Sequence, residues 1–252
     1  MSALEKLEPS ALPAVIIGPG RPEQYLTAGG LRVPSVTTIT GRFKNADALI
    51  AWANREGLAG RTAEEARDAA ADAGHIAHDW IRDTVAGRPL TPFPYSPEEM
   101  VDKAKRALEA FHTWADEVSL RVVAVEIPLV HEDLLFGGTW DGIGIVSGVL
   151  RVLDWKSGNR CYPEHLVQVA AYRELLRAER ERLGDEALPV PEGAALVRLD
   201  KETGTPTARL FDADALDLGW DYFAKLRHLY ELEKDVSKTV ADRKAKRRKK
   251  AA

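Results

Sequence analysis

Cysteine is almost missing from this chain. Cys161 is the only one among 252 residues, so the chain cannot build an intramolecular disulfide, a cysteine zinc knuckle or a four-cysteine iron–sulfur cluster by itself. Any bound metal must then be held by oxygen and imidazole. No segment approaches the roughly 18 consecutive apolar residues of a membrane span. The opening MSALEKLEPSALPAVIIGPG lacks a basic stretch followed by a long apolar one. A cytoplasmic protein with no membrane partner is the expectation. Internal repeats are missing, no coiled-coil seam is legible to fix an oligomeric state, and no Walker phosphate loop occurs, so no ATP-driven motor is expected.

A hydrophobic content of 45% is enough for a sizeable core. The net charge of −4 hides an asymmetry: KTVADRKAKRRKKAA, from Lys238 to the end, holds eight Lys or Arg and one Asp. Such a run predicts a basic disordered tail over 238–252 behind a single domain over 1–237. Tails of this kind bind polyphosphate backbones without sequence preference.

The pattern along the chain predicts a mixed α/β domain, a central sheet flanked by helices. Residues 24–40 (QYLTAGGLRVPSVTTIT), β-branched on both sides of Gly29-Gly30, predict a short extended hairpin, followed by a helix over about 46–58. Thr62 with Glu65 forms a capping box opening the next helix, and Gly87 is placed to end it. Ser96-Pro97-Glu98-Glu99 predicts a second box and a helix to about Val118. Three strand-like runs, 121–130, 134–146 and 149–157, read as an antiparallel meander. Pro163 opens another helix, a hairpin is expected around Lys201–Gly204, and a last amphipathic helix should span about Asp214 to Lys234.

Strand alternation puts Leu150, Val152, Asp154 and Lys156 of VLRVLDWK on one face. A charged pair beside apolar neighbours is costly unless compensated, and a cation would compensate the carboxylate. Spacing alone does not decide: D-x-K recurs at Asp242–Lys244, and a structural ion pair explains Asp154 and Lys156 as well as a site does. Asp141 adds weight. It sits among glycines in GGTWDGIG, and a meander turning at Ser147-Gly148 brings it level with Asp154. Two such carboxylates can share a hard cation such as Mg²⁺. A third ligand candidate comes from the helix after Thr62, where a wheel at roughly 100° per residue sets His78 beside Ile81 and Val85 and sends His75 to water with Arg82. Gly74, one turn before His78, leaves room for another element to approach. Gln168 and Tyr172 share a helix face, which amphipathicity also explains. Glu126 lies among the apolar residues of VVAVEIPLV, as a peripheral ligand, a supporting group or a solvent-facing strand residue.

In this order GHIAH (74–78), VEIPL (125–129), GGTWDGIG (137–144), VLDWKSG (152–158) and QVAAY (168–172) resemble the RecB-type branch of the PD-(D/E)XK nuclease superfamily, over about residues 74–172. The resemblance implies a restriction-endonuclease-like core. It implies His78, Asp141 and Asp154 as metal ligands with the Trp155 backbone carbonyl, Lys156 as the catalytic lysine, and Gln168 and Tyr172 as motif residues beside the site. Glu126 matches a less regular acidic position. One or two Mg²⁺ or Mn²⁺ ions would activate a water against the scissile phosphate, leaving a 5′-phosphate. The iron–sulfur cluster of some relatives is missing, and the stretch PSVTTIT makes the chain look like the phage-type exonucleases of this branch. The expected activity is thus a DNA exonuclease in phage or bacterial recombination or repair, with DNA as substrate and a single-strand annealing or other recombination protein as partner. The alternatives are a structure- or site-specific endonuclease and a non-cleaving DNA-binding module.

Overall fold

Capping chemistry sets several helix boundaries in the structure, a computed structural model that describes residues 15–43, 46–158 and 160–250. After a two-residue strand β1 (Ile16–Ile17), strands β2 (Tyr25–Leu26) and β3 (Arg32–Val33) form the expected short hairpin. The β-branched run that follows is a helix, α1 (Val36–Arg42), capped by the Ser35 hydroxyl, which accepts from the Thr38 N–H at 3.0 Å. The cap and the complete burial of Val36 and Ile39 override the weak helix propensity of Val and Thr. Helix α2 spans Ala46–Leu58. Helix α3 (Ala63–Val85) starts on the predicted capping box, with both the Thr62 and the Glu65 hydrogen bonds made. The second predicted box does not form. Pro97, extended at φ −56° and ψ 137°, is itself the N-cap of α4 (Glu98–Glu117) and has no side-chain cap bond. Ser96 therefore lies one residue too early, and the Pro97 carbonyl accepts the N–H groups of Met100 and Val101.

The three strand-like runs become five strands: β4 (Arg121–Val125), β5 (Pro128–His131), β6 (Phe136–Thr139), β7 (Gly142–Val146) and β8 (Val149–Lys156). Only β4, β7 and β8 form the antiparallel meander; β5 and β6 fold out as a separate hairpin. The first break falls at Glu126, which takes the left-handed conformation, φ 52°. After β8 comes helix α5 (Pro163–Leu183), then β9 (Gly193–Leu199), β10 (Pro206–Phe211) and helix α6 (Ala213–Lys250). The main sheet runs β1-β4-β7-β8-β9-β10, with β8 parallel to β9 and β1 parallel to β4. Helix α5 is thus a crossover that lies on one face of the sheet.

One core layer packs Leu150 and Val152 of β8 against α5, α6 and α1. The other packs Leu153 and Trp155 against α3 and α4. The Trp155 ring meets Phe111 and Trp114 edge-on at 5.2 and 5.7 Å, contacts that contribute about 0.5–1.5 kcal/mol each beyond burial. The alternation read from the sequence therefore holds in β8, and Asp154 faces α5. Helix α6 runs on past Lys234, its expected end, to Lys250. The stretch from Asp235 to Lys250 is rich in the strong helix formers Ala, Lys and Arg and contains no Gly or Pro. No helix among the described residues is long and apolar enough to cross a membrane.

Close approach explains two glycines of β6. A Cβ on Gly137 would lie 2.5 Å from the Tyr25 ring, and one on Gly138 would lie 2.7 Å from the Tyr172 ring. Gly137→Ala should lower unfolding stability by about 1–3 kcal/mol through overpacking, measured by chemical denaturation; an unchanged midpoint would show that Tyr25 moves aside freely.

Candidate active site

The turn between β7 and β8 fixes the centre of the site. Ser147 and Gly148 both have positive φ, 51° and 79°, as a tight two-residue hairpin turn requires. The resulting register pairs Gly142 with Leu153, and one step further along the same register sets Asp141 level with Asp154. Asp141 lies just before β7, and its Oδ2 accepts the Trp155 N–H at 2.7 Å. Because the N–H and C=O of a strand residue point to the same neighbour, the Trp155 carbonyl faces that side too. Oδ1 of Asp141 lies 3.5 Å from His78 Nδ1.

His78 is half-buried on α3, and His75 is exposed, as the helix wheel predicted. Gly74 does admit a neighbour, since a Cβ there would stand 3.0 Å from the Ser157 hydroxyl. That contact brings α3 against the end of β8, just beyond Lys156.

Asp154 is completely buried. Lys156 Nζ lies 2.6 Å from its Oδ2, and Gln168 Nε2 donates to Oδ1 at 3.3 Å. Oδ2 thus faces the ammonium, and a carboxylate oxygen carries a further lone pair able to meet a cation. Burial pushes the Asp154 carboxyl up to about 6 from its ordinary 3.8; Lys156 opposes the shift and Asp141 adds to it. Burial pulls the Lys156 ammonium down, but Asp154 and Asp141 outweigh it and hold its pKa above the usual lysine value. Gln168 also donates to the Tyr172 hydroxyl at 2.9 Å, so the pair does more than line a helix face. Burial, then the charges of Asp154 and Asp141, drive the Tyr172 phenol well above its ordinary range, and it stays neutral.

Glu126 is not part of a continuous strand over 121–130. It lies beyond the end of β4, after a bulge between Val122 and Ala124, and its carboxylate faces Arg82 at 3.3 Å. Burial raises its pKa, opposed by Arg82 and reinforced by Asp141, which places it at the edge of the site and not in open solvent. Arg82 was expected to point to water; it is half-buried and donates to the Gly18 carbonyl at 2.9 Å. Gly18 packs so tightly on the Glu126 carbonyl that a Cβ would lie 2.1 Å from it. The i, i+4 spacing of His78 and Arg82, which shows that both lie on one side of α3, was the signal that could have linked them.

Among the described residues, no three His, Cys, Asp or Glu side chains are gathered closely enough to hold a metal ion in this arrangement. The donor chemistry nevertheless suits a hard divalent cation: two carboxylates in register, one of them fully buried, and an imidazole beside the other.

A model of the PD-(D/E)XK nuclease superfamily matches residues 46–250, and the chain belongs to that superfamily, with its restriction-endonuclease-like α/β fold. No curated protein matches the sequence. Among solved structures, the alkaline exonuclease LHK-Exo from Laribacter hongkongensis is 16% identical over 70% of this chain and 90% of its own, with a TM-score of 0.34. Its complex with dAMP gives the same identity and coverage and a TM-score of 0.36. A structure of SSO0001 is 15% identical over 56% of this chain and 63% of that one, with a TM-score of 0.27.

The raised Asp154 pKa has a defined sign. Between about pH 4 and 6 the folded state holds more protons at this carboxyl than the unfolded chain, so its contribution to stability falls as pH rises through that window. In chelator-treated protein, carboxyl NMR should show one group titrating near pH 6 that disappears in Asp154→Asn. A titration near pH 4 would mean that Asp154 is far better solvated than its burial implies.

Proposed function

We propose that this protein is a Mg²⁺- or Mn²⁺-dependent DNA exonuclease whose nuclease domain spans residues 1–237 and which leaves 5′-phosphate products. The observation that carries the reading is Asp154, fully buried, flanked by Lys156 and Gln168, and in register with Asp141. The second carboxylate adds like-charge repulsion at Asp154 that a hard cation between the two would offset.

Asp141, Asp154, His78 and the Trp155 carbonyl would hold one or two ions, with Glu126 at the margin. Such an ion would supply polarisation of the scissile phosphate and a water of lowered pKa. Lys156, cationic beside Asp154, orients that water and stabilises charge on the phosphoryl oxygens. Gln168 holds Asp154 Oδ1 and, through the Tyr172 hydroxyl, ties the carboxylate to α5. His78 fixes Asp141 from the α3 side. DNA is the substrate, phage or bacterial recombination or repair in the cytoplasm the setting, and an annealing or other recombination protein the partner. The basic end of α6 supports the choice of a polyanionic substrate.

The test uses purified full-length protein with Mg²⁺ or Mn²⁺ on end-labelled linear duplex, single-stranded and closed circular DNA. Loss of label from linear ends with intact circles is expected; cut circles would instead identify an endonuclease, and binding without cleavage under either metal would overturn the catalytic reading. Lys156→Ala and Asp154→Ala should each reduce cleavage by about 100-fold or more while keeping the wild-type circular dichroism spectrum.

A further inference from the structure

Two arginines that play no part in the site described so far stand in line with Lys156. Strand pairing sets Lys156 level with Arg198 of β9, and Asp154 level with Leu196 of β9 and, one strand on, Arg209 of β10. Residues level across a sheet share a face. Leu196 belongs to the core layer packed on α5, so alternation puts Lys156, Arg198 and Arg209 all on the α5 side. With strands about 4.8 Å apart, the row runs about 10 Å from β8 to the edge strand β10. Arg198 pairs with Asp200 at 2.9 Å. Arg209 is exposed and has no carboxylate partner among the described residues.

The chain between β8 and α5 brings an aromatic ring to this row. It turns from Lys156 onto the α5 side, where Cys161 packs on the core layer. Burial pushes the Cys161 thiol up, and the charges of Arg209, Asp154, Lys156 and Arg198 all reach it. The next residue, Tyr162, is 46% exposed, and its ring meets His165 edge-on at 5.6 Å. Arg160 is exposed just before it. Cations in a row beside an exposed aromatic ring suit one strand of nucleic acid: the cations follow the phosphates, and the ring stacks on an unpaired base. A duplex would use only the cations, since its bases are stacked inside. Taking the position of the scissile phosphate from the proposed nuclease reading, we infer that Arg198 and Arg209 carry a single DNA strand from the catalytic centre to the sheet edge, with a base stacked on Tyr162.

Binding without cleavage tests this. Fluorescence anisotropy of the chelator-treated full chain is measured with a labelled single-stranded oligonucleotide and with the same sequence as a blunt duplex. Tyr162→Ala should weaken single-strand binding about tenfold and leave duplex binding unchanged, while Tyr162→Phe, which keeps the ring face, should bind as wild type does. Arg209→Ala, on the exposed edge strand, should reduce the slope of log affinity against log salt by about 0.7, the loss of one phosphate contact. A 2-aminopurine base scanned along the strand should be quenched at one position by wild type and not by Tyr162→Ala. The inference is overturned if wild type does not bind the single strand, if Tyr162→Ala binds it normally, or if that variant loses duplex affinity equally. Single-strand binding that responds to Tyr162→Ala and Arg209→Ala, without cleavage under Mg²⁺ or Mn²⁺, would sink the nuclease reading and keep the strand path; cleavage with binding indifferent to both variants would do the reverse.

Discussion

A carboxylate taken fully out of water is the constraint around which this domain is built. Burying an ion is expensive unless partners replace its hydration, and Asp154 obtains its partners from two directions. Lys156 comes from the same strand two residues on, and Gln168 from the crossover helix. Both need β8 to run straight to its end and α5 to return across the sheet face that Asp154 occupies. The parallel β8–β9 pairing forces such a crossover, so sheet topology and site geometry are one requirement.

A second layer of positioning comes from strands that stop early. The backbone break at Glu126 and the short interval between β6 and β7 free Asp141 from the ladder, so that its carboxylate can take the Trp155 N–H and face His78. Glycines permit this crowding. Gly18 fits over the Glu126 carbonyl, Gly74 fits under Ser157, and Gly138 receives Tyr172. The rigid packing of Trp155 on Phe111 and Trp114 anchors the opposite face of the same strand, so the peptide that presents Lys156 is held from behind.

Most of the site was legible because its parts follow short-range rules. Alternation placed Asp154 and Lys156 together, a two-residue turn set the register of Asp141, and helical periodicity separated His78 from His75. The errors arose where distant contacts outrank local pattern. The run through Glu126 looked continuous, but the N-terminal strand and Arg82 break it. The β-branched VTTIT looked extended, but its cap and burial made it a helix.

The sequence by itself determined the α/β class, the order of the motif residues and which faces of β8 and α3 they occupy, because periods of 2 and 3.6 are properties of the backbone and need no tertiary partner. Only the tertiary structure decided that Gln168 and Tyr172 support Asp154, that Arg82 faces Glu126 and the Gly18 carbonyl, and that β5 and β6 leave the main sheet. These depend on which surfaces come to lie within hydrogen-bonding distance, and that is set by the packing of the whole core.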